Sequence, residues 1–168
     1  MMKYPSIQAL ERLSPEDVGA VLTHARTLQR AALAGATQAL LRGKNLGLLC
    51  KAEADGGQDG DAALFRRAAM ELGAHVAHIR PSLSELSTPQ EVQHTARMLG
   101  RLYDAVECQG MDPSLVQQVA LAAGVPVYDG IASQGHPTAR LSNLLDGGAT
   151  SADKRRFVLQ AVLLSTIA

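Results

Sequence analysis

A chain of 168 residues, 46% of them hydrophobic, can bury the core of one ordinary domain without disulfide or metal staples. Its 16 basic residues balance its 16 acidic ones, so no net field recruits nucleic acid or an anionic membrane surface. No apolar stretch approaches the roughly 20 residues that span a bilayer, the N-terminal region lacks a secretory layout, and Cys50 and Cys108 lie in apolar runs where burial is expected. These features predict a reduced, cytoplasmic protein with no membrane or nucleic-acid partner.

Ser14-Pro15-Glu16-Asp17 opens the first predicted helix, with Ser as N-cap, Pro at the first helical position and acids against the positive helix end. Val18, Val21, Leu22, Ala25, Leu28 and Ala32 keep helical spacing up to Gly35 and define one buried face. The apolar run from Asn45 to Cys50 reads as a strand covered on both sides. A second helix from Asp61 carries Leu64, Phe65, Ala68, Ala69 and Leu72 and stops at Gly73.

The next predicted strand is His75 to Ile79. Thr88-Pro89-Gln90-Glu91 has capping-box spacing and opens a helix to about Leu102. A third strand runs from Ala105 to Cys108, and Asp112-Pro113 caps a helix ending at Gly124. Val125 to Tyr128 gives a fourth strand, and His136 to Leu145 reads as helical. The last helix, Ala152 to about Ile167, is apolar nearly all round apart from Lys154, Arg155 and Arg156, so it must be packed on several sides or lie at an interface. Alternation of strands and helices implies parallel pairing through right-handed crossovers, hence a doubly wound α/β domain with a four-stranded parallel sheet and helices on both faces. Ligands in such folds bind beyond the carboxyl ends of the strands, which nominates the loops after Cys50, Ile79, Cys108 and Tyr128.

The first of these loops poses the sharpest chemical question. Residues 51–67, KAEADGGQDGDAALFRR, place Glu53, Asp55, Asp59 and Asp61 where an α/β protein would cradle an anion. The plainest reading makes Asp61 a helix N-cap and the rest a solvated turn. A divalent-cation site from Asp55, Asp59 and Asp61 misses calcium-loop spacing, and a pocket for a cationic or amine ligand is the remaining option. His24, His75, His78 and His94 show no metal-ligand clustering, since His75 and His78 fall on opposite faces of a strand. No metal or cofactor is expected.

From Leu41-Arg-Gly-Lys-Asn-Leu-Gly-Leu-Leu to Leu145 the chain resembles the carbamoyl-phosphate-binding domain of the aspartate and ornithine carbamoyltransferases. The resemblance rests on Gln90-Glu-Val-Gln-His-Thr-Ala-Arg-Met-Leu-Gly-Arg-Leu-Tyr-Asp104, on Val125-Pro-Val-Tyr-Asp-Gly130, and on His136-Pro-Thr138 followed by Leu144-Leu145. In that family a Ser-Thr-Arg-Thr-Arg run after the first strand holds phosphate. Its place here, counted back from Phe65, holds Gln58-Asp59-Gly60-Asp61-Ala62. The family's arginine after the third strand falls on Gln109, and the glutamine of its His-Pro-x-Gln motif falls on Ala139. His136, with Thr138 beside it, and Arg155 keep family positions. His136 is the candidate to polarise a bound carbonyl or to cap the helix that starts there. Arg155 is a candidate anion ligand or an exposed first-turn charge.

The tail from Asp153 to Ile167 resembles the family's C-terminal helix. The expected organisation is one domain over 1–168: N-terminal helices in 1–40, an α/β core in 41–147 and a closing helix in 151–168, without the family's amino-acid-binding domain. Two like charges about 4 Å apart repel by roughly 4 kcal/mol at an effective dielectric near 20, so Asp59 and Asp61 would turn a phosphate site repulsive. The resemblance therefore implies a member without carbamoyl transfer, with a small-ligand or assembly role and a homo-oligomeric, plausibly trimeric, state. Two alternatives stand beside it: residual chemistry on a carbamoyl or phosphate compound, and an interaction module for a full-length carbamoyltransferase.

Overall fold

The computed structural model describes residues 14–36, 38–50, 60–84, 86–147 and 149–167. Gln58 and Asp59, with Glu53 and Asp55, lie outside the described residues. The first helix, α1 (Pro15–Leu33), begins at Ser14, whose hydroxyl accepts from the Asp17 amide while the Asp17 carboxylate accepts from the Ser14 amide. Strand β1 (Asn45–Cys50) leads to α2 (Asp61–Glu71), β2 (His75–Ile79), α3 (Pro89–Leu102) and β3 (Ala105–Gln109). Then follow α4 (Pro113–Ala123), β4 (Val127–Asp129), a 3-10 helix (Pro137–Leu144) and α5 (Ser151–Ile167).

All strand pairings are parallel and the order is β2-β1-β3-β4, which makes β1 central, with β2 and β3 on either side. The fourth strand starts later than the sequence suggests. Pro126 has no N–H to give to a ladder, although its carbonyl accepts from the Val106 amide, so regular pairing begins at Val127. The segment after His136 also winds more tightly than an α-helix. Its buried residues Thr138 and Leu141 lie three apart, matching three residues per turn.

Alternation along the strands divides the core between two faces. Leu46, Leu48, Cys50, Ala105 and Tyr128 pack with α1, α2, the 3-10 helix and α5. Leu49, Val106, Cys108 and Val127 pack with α3 and α4. Both cysteines are buried, and neither forms a disulfide among the described residues. On the first face α5 is covered from several directions, touching α1, α2 and the 3-10 helix. Its run from Phe157 to Leu164 is wholly buried, which accounts for an apolar surface nearly all round. Polar ties fix its position. Arg156 Nε donates to Glu71 at 2.8 Å, Gln160 Nε2 donates to Glu71 at 3.0 Å and to the Ala68 carbonyl at 3.2 Å, and the Tyr128 hydroxyl meets Thr166 Oγ1.

On the second face α3 and α4 approach so closely that Gly100 is required for space. A Cβ there would stand 1.8 Å from the Ala123 carbonyl oxygen, a backbone atom that cannot turn aside. Gly100→Ala should therefore destabilise the domain by about 1–3 kcal/mol or more. Thermal unfolding checks this, and an unchanged Tm would contradict the packing described.

Candidate functional site

The loop between β4 and the 3-10 helix lies at the carboxyl ends of β3 and β4, where the Gly130 amide donates to the Cys108 carbonyl. Two buried side chains, one an acid and one a base, hold that loop. Glu107, in the middle of β3, is fully buried and accepts from the Ile131 amide at 3.1 Å and the Ala132 amide at 3.3 Å. Arg155, in the first turn of α5, sends Nη2 to the Ile131 and Ser133 carbonyls. An acid thus takes the loop's N–H groups while a base takes its C=O groups, an arrangement that satisfies buried backbone polarity.

His136 ends the clamped loop and caps the 3-10 helix. Its Nδ1 accepts from the Thr138 amide at 3.2 Å and lies 2.9 Å from Thr138 Oγ1. A nitrogen that accepts a backbone N–H carries no proton, so the neutral ring holds its proton on Nε2. Burial, helped by the positive charge of Arg155, pushes the His136 pKa down from 6.5 to about 4. The imidazole is thus neutral at pH 7, a form suited to donate a hydrogen bond from Nε2 but not to deliver a full positive charge. Thr138 is fully buried and spends its hydroxyl on this histidine.

Arg155 is not the exposed first-turn charge that its position allows. It is 7% exposed, and its Nε and Nη1 have no hydrogen-bond partner among the described residues. Burial lowers its pKa, and the charges of Glu107 and Asp61 act the other way. Gln109, at the end of β3, is also buried, and its Nε2 likewise lacks a partner among the described residues.

Arg155 lines a cavity of about 620 Å³ that also meets Gly60, Asp61, Gln134, Ala139 and Arg140. The start of α2 forms one wall, and here the sequence reading needs correction. The N-cap is Gly60, with no side-chain cap bond, and Asp61 is the first helical residue. Asp61 therefore sets a carboxylate against the positive end of α2, where it offsets the field that would favour a bound anion.

The structure thus brings Gly60, Asp61 and Arg155 to one cavity, ties His136 to Thr138 beside Arg155, and leaves Gln109 at the end of β3 near Glu107. Sequence reasoning missed Glu107. The available signal was an acid within Ala105-Val-Glu-Cys108, an otherwise apolar predicted strand. Among the described residues no group of three His, Cys, Asp or Glu side chains could hold a metal ion. No helix among them is long and apolar enough to cross a membrane.

Two pH responses follow, one from Glu107 and one from His136. Burial raises the Glu107 pKa from 4.5 to about 8 against the opposing N–H bonds. A raised folded-state pKa contributes stability that is full below about pH 4.5 and lost as pH rises through 8. His136 behaves oppositely, contributing fully above pH 6.5 and losing that contribution as pH falls toward 4. Glu107→Gln should flatten the stability profile between pH 6.5 and 8 while leaving one loop N–H unpaired, at about 1–3 kcal/mol. Denaturant unfolding across pH tests this, and an unchanged slope would contradict it. Proton NMR should show the His136 ring in its neutral form at pH 5.5, and a midpoint near 6.5 would contradict its burial.

Comparison with known proteins places this geometry. The family model for the aspartate/ornithine carbamoyltransferase carbamoyl-P binding domain matches residues 6–146. Ornithine carbamoyltransferase of Actinobacillus pleuropneumoniae serotype 5b is 35% identical over 144 residues, covering 86% of this chain and 42% of that protein. The catabolic ornithine carbamoyltransferase of Mycoplasma capricolum subsp. capripneumoniae is also 35% identical over 144 residues, covering 86% and 45%. The solved ornithine carbamoyltransferase of Pyrococcus furiosus superposes with a TM-score of 0.66 at 23% identity, over 85% of this chain and 45% of that one. Aspartate transcarbamoylase from Trypanosoma cruzi, solved in complex with N-(phosphonacetyl)-L-aspartic acid, gives a TM-score of 0.63 at 23% identity, over 84% and 44%. The chain thus spans less than half the length of the curated relatives it matches.

Proposed function

Because this chain belongs to the aspartate/ornithine carbamoyltransferase family, we propose that it is a carbamoyl-phosphate-type domain that no longer supports carbamoyl transfer and instead binds a small ligand beyond its strand ends. The observation that carries this reading is Asp61 as the first residue of α2, on the cavity that Arg155 lines. A helix N-terminus favours an anion only while its own first turn leaves that field free. An aspartate there occupies the field and repels a phosphate. Gln109 and Ala139 stand where the family resemblance places an arginine and a glutamine, so the loss of donors extends beyond α2.

The closing role of α5 belongs to the same proposal. That helix lies beyond the matched residues 6–146. Its ties to Glu71, Ala68 and Tyr128 support the reading of a single domain closed by this helix.

One observation favours residual chemistry as a second reading. His136 and Arg155, the two positions that the resemblance retains, are electrostatic neighbours. A neutral imidazole donor and a guanidinium side by side could hold a carbonyl or carbamoyl oxygen. The two readings separate in a transfer assay with carbamoyl phosphate and either L-ornithine or L-aspartate. The proposal expects no carbamoylated product above the uncatalysed rate. Product formation that is abolished by His136→Ala would overturn it in favour of the second reading.

A further inference from the structure

We propose that the groove between α3 and α4 docks an acidic amphipathic helix of another protein, its apolar stripe against Leu121 and Ala122 and its carboxylates toward Arg97 and Arg101. These two helices cover the sheet face opposite the cavity, so the inference stands apart from whatever ligand the strand ends take.

The shape follows from one close contact. The helices touch where Gly100 meets the Ala123 carbonyl, and nearer their N-termini a groove of about 360 Å³ lies between them. Buried Val92 forms its floor, Gln93 and Arg97 stand on the α3 rim, and Gln118, Leu121 and Ala122 stand on the α4 rim. A second hollow of about 340 Å³ shares Val92 and Gln118 and continues to Ser87 and Ser114. A groove between two packed helices is the shape into which a third helix lays one stripe of side chains.

Residue type then selects the partner. Leu121 is 83% exposed, and Met98 and Leu102 of α3 also face water, so apolar surface is left uncovered on this side. The acids beside the groove are spent on helix caps: Glu91 accepts from the Thr88 amide, and Asp112 accepts from the Ser114 and Leu115 amides. No charged residue occurs in α4. Arg97 and Arg101, four apart and so neighbours on the surface of α3, are exposed and form no ion pair among the described residues. A second copy docked through the same face would set these arginines against their own counterparts. A flat anionic bilayer would leave the groove unfilled. A helix with carboxylates beside its apolar stripe fills the groove and answers both arginines, and the charge pairing fixes its register.

The test titrates the whole chain, by fluorescence anisotropy and amide NMR, with a synthetic helical peptide of about 14 residues that carries leucines along one stripe and glutamates beside them. A control peptide has lysine in place of every glutamate. The glutamate peptide should saturate, shift amides of α3 and α4 only, and bind about tenfold more tightly than the lysine peptide. Arg97→Glu combined with Arg101→Glu, both at exposed positions, should reverse that preference. Leu121→Asp should weaken both peptides while leaving Tm unchanged. Equal binding of the two peptides, an unchanged preference in the double variant, shifts elsewhere in the domain, or no saturation at millimolar peptide would each overturn the inference. Two further results would also overturn it. Retention on equimolar phosphatidylcholine and phosphatidylglycerol vesicles, abolished by Leu121→Asp, would give the face to a membrane. Self-association in sedimentation, abolished by the same change, would give it to a second copy.

Discussion

The packing of α5 against one face of the sheet is the constraint on which the rest of this structure depends. Its buried run from Phe157 to Leu164 fills the space left by α1, α2 and the 3-10 helix. A side chain of Leu or Phe size contributes about 1.5–3 kcal/mol when fully buried, so a helix buried on every side is a large share of a marginal total. The same helix delivers Arg155 and Arg156 to fixed places. Arg156 ties α5 to α2 through Glu71, and Arg155 reaches beneath the loop that ends at His136. Fold and site are therefore coupled: whatever holds α5 also sets the charge beneath the strand ends.

The loop between β4 and the 3-10 helix shows how that charge is used. Glu107 and Arg155 grip opposite polar edges of the same short backbone segment, and His136 is placed as a consequence. Removing either grip would leave polar groups of that buried segment without partners, a costly state. The histidine itself is held neutral, with Nδ1 occupied, so its chemistry is limited to donation from Nε2. These features are common to a binding site and a catalytic one. The difference lies at α2, where an aspartate begins the helix whose free N–H groups would otherwise favour an anion.

Much of the scaffold was legible in the sequence because single segments carried their own signals. Asn45 to Cys50 is a short apolar run, and Thr88 with Glu91 is a local capping box, so both elements fall where spacing put them. The resemblance likewise named Arg155 and His136 from motifs within short stretches. What stayed hidden depends on segments meeting. Glu107 announces a charge in a strand, but its purpose exists only once residues 131 and 132 fold over it. Asp61 looked like an N-cap because aspartate favours that place, yet Gly60 takes it and moves the acid one residue into the helix. The cavity needs residues from the sixties, the 130s and the 150s together, a juxtaposition with no local signature. Fold was therefore easier to read than function, since similar folds host different sites.

The central claim is that the anion site of this family has been turned against phosphate at α2 while its fold persists. Calorimetric titration of the protein with carbamoyl phosphate, alongside inorganic phosphate, tests it most directly. The account predicts no saturable heat at millimolar ligand. Saturable binding of carbamoyl phosphate, weakened in His136→Ala and Arg155→Ala variants that remain folded, would contradict it and return the domain to its family's ligand.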